Sequence, residues 1–250
     1  MLDVETHDRH MSRSFPIDGA PRHYPSQIVP TLLLLIRHAL TDAAGKRLSG
    51  WQRGVHLNEE GRRQAERLAE RLTSVRLGAI YTSSLERCVE TAVPLAKAKG
   101  LAVRRVPGLR DVDYGDWSGR SMRQVTETRQ WRRIMRDPSG EPFPGGETLR
   151  GVQARVLEEL GGIAAAHPRT AVAVISHADP IRLAIAHFSG AHIDLFQRLV
   201  VHPASTSAVL VGDGMPRILR VNDTGDLSDL AVPPPRRRAG GPGGKPGVRT

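Results

Sequence analysis

Three short segments place chemistry-bearing side chains directly after apolar runs. In LLLIRHALT, residues 33–41, an arginine and a histidine follow an unbroken aliphatic stretch. A neutral, oriented imidazole such as that of His38 can attack phosphorus. Arg37 beside it offers a charged planar fork matched to phosphate oxygens. In YTSSLERCVETA, residues 81–92, Arg87 falls in the first turn of a predicted helix just past a predicted strand. From there its guanidinium can turn back to the strand end, where helix amides also favour an anion. In VISHADPIR, residues 174–182, His177 sits between an apolar run and a helix that Pro180 can open in its first turn. Its ring could donate a hydrogen bond to a phosphoryl oxygen. Taken singly, each feature also fits a plain alternative: a strand-end histidine satisfied by a carbonyl, a solvated helix arginine, a loop histidine without a ligand. The recurrence of the same placement three times is what makes the set informative.

Holding these residues together requires strands and helices in alternation. Residues 31–36 form a short continuous apolar run, as in a strand buried on both faces. Asn58 can cap a helix whose first turn carries Glu59 and Glu60, with Ala65, Leu68, Ala69 and Leu72 at helical spacing. Residues 79–82 read as a second strand, 85–99 as a helix stopped by Gly100, and 101–106 as a β-rich segment. Residues 148–166 form a long helix with Val152, Val156, Leu160 and Ile163 in one stripe. Residues 170–176 are another buried strand, and 205–211 and 217–221 close the body as strands. This order predicts an α/β fold: a mostly parallel central sheet covered by helices on both faces, a three-layer α/β/α sandwich. Ligands of such sheets bind beyond the carboxyl ends of the strands. Arg37, His38 and His177 fall at those ends.

The chain has 250 residues, 39% apolar and 25% charged, enough for one good-sized core or two small ones. No run approaches the ~18 apolar residues of a membrane span. The N-terminus lacks the charged-then-apolar pattern of a secretion signal, so export is not expected. The single cysteine, Cys88, rules out an internal disulfide framework and a thiolate metal cluster, and suits a reducing cytoplasm. No HExxH pattern or carboxylate-rich loop suggests a metal. Residues 1–29 hold no helix or strand period and read as a mobile extension; 231–250 are Pro/Gly-rich, basic and read as a disordered tail. The folded body is expected over 30–230. The net charge of +10 raises nucleic-acid binding, but the tail supplies five of those charges and aromatics are only 4%. Stacking platforms for single strands are therefore scarce. A basic surface attracting phosphorylated small molecules is the simpler account.

The segments IRHALT, SGW with LNEEGRRQAERLAERL, YTSSLERCVETA, LRDVDYGDWSGR, FPGGETL and VISHADPIRLAI occur in that order over residues 31–222. In this ordered set the chain resembles the histidine phosphatase superfamily. That group contains cofactor-dependent phosphoglycerate mutases, fructose-2,6-bisphosphatases and α-ribazole phosphatases. DLFQRLVVHPASTSAV is similar to a little-characterised bacterial branch of phosphatase- or phosphomutase-like proteins. The resemblance implies a phosphoglycerate mutase-like fold and His38 as a nucleophile that forms phosphohistidine. It also implies a phosphate pocket made by Arg37, Arg87 and His177. Charge stabilisation of this kind needs neither metal nor cofactor.

The family's proton donor comes from a loop resembling L-x-E-x-x-x-G-x-W. Here that loop is residues 109–117, which puts Asp111, one methylene shorter, in the donor's place, with Asp113 as a fallback. Ala39 and Ala178 stand where glycines are usual. A phosphate-contacting asparagine is absent, with Ala44 near its place; Thr41 or Ser49 could supply that hydrogen bond. Glu147 could touch substrate, but it reads first as a first-turn glutamate complementing a helix dipole. Trp51, Trp117 and Trp131 read as packing or pocket-wall residues, and His56 and His202 receive no role. Residues 118–144, with Arg123, Arg129, Arg132, Arg133 and Arg136, either line or overhang the pocket entrance or form a solvated arginine-rich helix; the two readings fit equally well. The leading expectation is hydrolysis of a small phosphomonoester. Its rivals are a phosphomutase using the same pocket and a catalytically silent phospho-ligand binder. Dimers are common among the proteins it resembles.

Overall fold

The apolar run becomes the middle of the sheet. In the computed structural model, which describes residues 30–212 and 214–225, β1 spans Thr31–Arg37. It pairs in parallel with β4 (Ala171–Ser176) and antiparallel with β5 (Thr206–Val211). β2 (Leu77–Thr82) and β3 (Val103–Arg105) extend the parallel side, and β6 (Arg217–Asp223) extends the antiparallel side. The order across the sheet is β3-β2-β4-β1-β5-β6. The extension at 1–29, the tail at 231–250 and residues 226–230 lie outside the described residues.

Because β1 is central, its side chains must be apolar on both faces, and successive residues point to opposite sides. Leu34 and Ile36 pack with Leu68 of α1 (Glu59–Arg71) and Leu95 of α2 (Glu86–Lys99). Leu33 and Leu35 pack with Val156 of α5 (Leu149–Ala166) and Ile181 of α6 (Ala178–Phe188). The result is the expected three-layer sandwich. The helix ends follow the sequence signals. Asn58 accepts the Gly61 amide at 2.8 Å, Thr148 accepts the Gly151 amide at 3.0 Å, and Gly100 closes α2 in the left-handed region.

One glycine contact matters for the site. A Cβ on Gly61 would lie 2.0 Å from the Leu40 carbonyl oxygen, so only glycine lets the start of α1 press on the backbone two residues past His38. Residues 118–144 hold two short helices, α3 (Met122–Thr126) and α4 (Arg129–Arg136), over an aromatic cluster of Tyr114, Trp117, Trp131 and Phe143. No described helix is long and apolar enough to cross a membrane.

Candidate active site

β1 carries Arg37 and His38 to the carboxyl edge of the sheet, and β4 delivers His177 beside them. The His38 amide continues the parallel ladder by donating to the Ser176 carbonyl at 2.9 Å. The next amide, of Ala39, donates to Thr91 Oγ1 of α2 at 2.9 Å. These two bonds fix the backbone on both sides of the imidazole. His38 Nδ1 lies 2.8 Å from the Ala39 carbonyl oxygen. A carbonyl only accepts, so Nδ1 carries the proton and Nε2 keeps the lone pair. Burial pushes the His38 pKa well below the usual histidine range, and the nearby Arg87 and Arg37 charges push the same way. The ring is therefore neutral at pH 7.

Arg87, in the first turn of α2, is 1% exposed. Its Nη2 donates to the Gly50 carbonyl at 2.8 Å and to Asp111 Oδ2 at 3.3 Å, while Nη1 is buried with no protein partner. Arg37 donates from Nη1 to the Val201 carbonyl at 2.7 Å, and its Nε is likewise buried without a partner. Two guanidinium groups thus hold donors in reserve. Orphaned buried donors of this kind are costly unless a ligand fills them.

Arg37, His38, Thr41, Ser49, Arg87 and Asp111 all border one cavity of about 120 Å³. His177 is placed differently. It is fully buried behind that wall, its ring centroid 5.2 Å from that of His38. Its Nε2 lies 2.9 Å from Ser83 Oγ and 3.4 Å from Cys88 Sγ; Nδ1 lies 3.6 Å from Asp111 Oδ2. Burial, then Arg87, His38 and Arg37, lowers its pKa well below the usual range, so it too is neutral.

Asp111 borders the cavity with Oδ2 3.3 Å from Arg87 Nη2. Its Oδ1 accepts the Val112 amide at 3.0 Å. Burial raises its pKa to about 6; Arg87 opposes that rise and the Asp179 charge adds to it. The group is thus poised to hold and release a proton near neutrality. Asp113, the fallback, does not border the cavity: its Oδ1 caps the Gly115 amide at 3.0 Å in a tight turn. Glu147 is not in the first turn of α5 either. It precedes the Thr148 cap and pairs with Arg155, an ion pair rather than a dipole partner. For the arginines of residues 118–144 the solvated-helix reading holds rather than the lining one. None of that stretch lines the cavity, and Arg129, Arg132, Arg133 and Arg136 instead flank a separate exposed groove. Neither Ala39 nor Ala178 adopts a positive φ, so replacing glycine at these positions causes no backbone strain.

Two wall residues escaped the sequence reading. Tyr114 Oη donates to Asp179 Oδ2 at 3.1 Å, Arg182 Nη1 donates to Asp179 Oδ1 at 3.0 Å, and Tyr114 and Asp179 both border the cavity. Both sit inside segments already singled out, LRDVDYGDWSGR and VISHADPIR, but nothing local says that they meet. Among the described residues no group of three or more histidines, cysteines or carboxylates is placed to hold a metal.

A neutral imidazole and a carboxyl group on the wall of a cavity with unpaired guanidinium donors suit the chemistry of a phosphoryl group. Comparison with known proteins narrows this chemistry. Residues 33–224 match the model of the histidine phosphatase superfamily, branch 1, and the chain belongs to that family. It is 32% identical to phosphoserine phosphatase 1 of Hydrogenobacter thermophilus over 205 residues, 80% of this chain and 96% of that protein. Its fold is similar to that of YhfR from Bacillus stearothermophilus, with TM-score 0.73 and 28% identity over 77% of this chain and 97% of the other. It is also similar to a mycobacterial glucosyl-3-phosphoglycerate phosphatase, with TM-score 0.70 and 27% identity over 77% and 99% of the two chains.

Proposed function

We propose that the protein hydrolyses small phosphomonoesters through a phosphohistidine on His38. The observation that carries this reading is the bond from Nδ1 to the Ala39 carbonyl, which leaves the Nε2 lone pair in an imidazole at the wall of an arginine-lined cavity. In the first step Nε2 forms a bond to phosphorus and the ester P–O bond breaks. Asp111 gives its proton to the leaving alcohol. In the second step Asp111, now a carboxylate, takes a proton from water as the water oxygen attacks phosphorus and the P–N bond breaks. Arg37 and Arg87 hold the phosphoryl oxygens throughout, with the Thr41 and Ser49 hydroxyls completing the set, while His177, which does not reach the cavity, backs the wall through Ser83 and Asp111. Relatives named as phosphatases of phosphoserine and of glucosyl-3-phosphoglycerate support hydrolysis as the outcome. They also favour phosphorylated alcohols of small metabolites as substrates.

The test is phosphate release from a panel of sugar, glycerate and amino-alcohol phosphates, run with a chelator and with or without a bisphosphate primer. Release that is unaffected by chelator and needs no primer is expected. Strict dependence on primer would replace the hydrolase with a phosphomutase, and no turnover with any ester would leave a phospho-ligand binder.

The pH dependence of kcat/KM follows from the two titrating groups. His38 must be neutral, so the acidic limb lies well below pH 6.5. Asp111 must be protonated, so the rate falls as pH rises through about 6. A bell with its top in mildly acidic solution is expected after correction for the substrate's own second ionisation near ~6. Asp111→Asn should remove the basic limb. A profile flat from about pH 4 to 9 would contradict both assignments.

The catalytic body is placed at 30–230, flanked by the N-terminal extension and the basic tail. The reducing cytoplasm suits a chain with one buried thiol. A homodimer is the assembly to test by light scattering.

A further inference from the structure

Five hydrogen bonds leave one side chain of α5. Arg155 donates from Nε to Glu147 Oε1 at 2.8 Å and from Nη2 to Glu147 Oε2 at 2.9 Å. Its Nη1 donates to the Gly108 and Arg110 carbonyls at 2.8 and 2.9 Å, and its Nη2 also donates to the Asp111 carbonyl at 2.7 Å. These bonds use every donor a guanidinium has. The Asp111 carbonyl takes a second bond from Trp51 Nε1 at 2.7 Å, and Arg110 stacks over the Trp51 ring at 3.7 Å. Glu147 in turn accepts the Asp113 amide at 2.9 Å. Asp111 lies between two short turns, Pro107–Leu109 and Gly115–Trp117, with no strand ladder to hold it. Its backbone position therefore depends on this cluster. Arg155 itself does not border the cavity.

We propose that Arg155, locked by Glu147, is the positioning residue of the proton donor. It fixes the main chain at Asp111, which keeps Asp111 Oδ2 at 3.3 Å from Arg87 Nη2 and 3.6 Å from His177 Nδ1. A displacement of about 1 Å at that point can lower a rate about a hundredfold. Only a planar fork reaches two carboxylate oxygens and three carbonyls at once, so lysine cannot replace it. The inference rests on the reading of Asp111 as the acid.

A leaving-group comparison separates positioning from general structural support. An alkoxide must be protonated as it departs, whereas p-nitrophenolate leaves without help. The full chain and its Arg155→Met, Glu147→Gln and Asp111→Asn variants are assayed for kcat/KM on an alkyl phosphate and on p-nitrophenyl phosphate. Arg155→Met is expected to lose about a hundredfold on the alkyl ester and less than about fivefold on the aryl ester. Glu147→Gln should show the same selectivity with smaller losses, and it carries the comparison if Arg155→Met does not fold. Added to Asp111→Asn, Arg155→Met should cost less than about twofold more on the alkyl ester. Equal losses on both esters, or full additivity with Asp111→Asn, overturn the inference. If Asp111→Asn itself shows no leaving-group selectivity, the acid assignment fails first and takes this inference with it.

Discussion

Alanine at position 38 is expected to reduce phosphomonoester hydrolysis by about 10⁴-fold or more, while inorganic phosphate still binds within about tenfold of the wild-type affinity. The asymmetry comes from the division of labour in the cavity. His38 is neutral and contributes little to holding an anion; its Nε2 lone pair contributes the bond to phosphorus. The charge that binds phosphate comes from Arg37 and Arg87, whose positions do not depend on the imidazole: one hangs from the Val201 carbonyl and the other from the Gly50 carbonyl. Calorimetric titration with phosphate beside a steady-state assay checks both halves. Activity within about tenfold of wild type would mean that the nucleophile is another group.

Arg87→Met is expected to lower kcat/KM by about 10³-fold while changing unfolding free energy by no more than about 1 kcal/mol. Arg87 is a buried cation with an unsatisfied Nη1, and methionine of similar reach removes that burden even as the bond to the Gly50 carbonyl is lost. Two further signatures follow. Phosphate should raise the melting temperature of the wild type and leave the variant almost unmoved, since ligand stabilisation requires binding. The basic limb of the pH profile should shift upward, because the Arg87 charge holds the Asp111 pKa down and its loss lets that pKa rise. Arg87→Lys should recover little, as an ammonium cannot reproduce the fork. A variant that melts far below the wild type yet binds phosphate normally would make Arg87 a structural residue.

The sandwich could be read from the residues because its central strand is written without ambiguity. The run at 31–36 has no polar residue after Thr31, as suits a short strand with helices on both faces. The positions of Arg37, His38 and His177 at strand ends followed from the same runs. What escaped the sequence depends on meetings between distant segments. The resemblance alone ranks Asp111 above Asp113, and the physical difference is that a tight turn at Gly115 (φ +52°) captures the Asp113 carboxylate. Glu147 resembles a first-turn acid because nothing local reveals a bidentate arginine about two helix turns beyond it. Arg155 had no signal at all: its partners at 108–111 are far away in sequence, and a single arginine on a helix face is usually solvated. The arginines of α4 follow the other of their two readings, a solvated helix. The packing of Trp117, Trp131 and Phe143 that sets where α4 lies joins segments that nothing local connects.

The most direct test is to trap the covalent species. The enzyme is mixed with a ³²P-labelled phosphomonoester for a few turnovers, quenched in alkali, digested and mapped. A label that survives base, is released by mild acid and sits on the peptide containing His38 is the predicted result, with none in His38→Ala. A label on a different residue, or turnover with no labelled protein at any time, would contradict the phosphohistidine account.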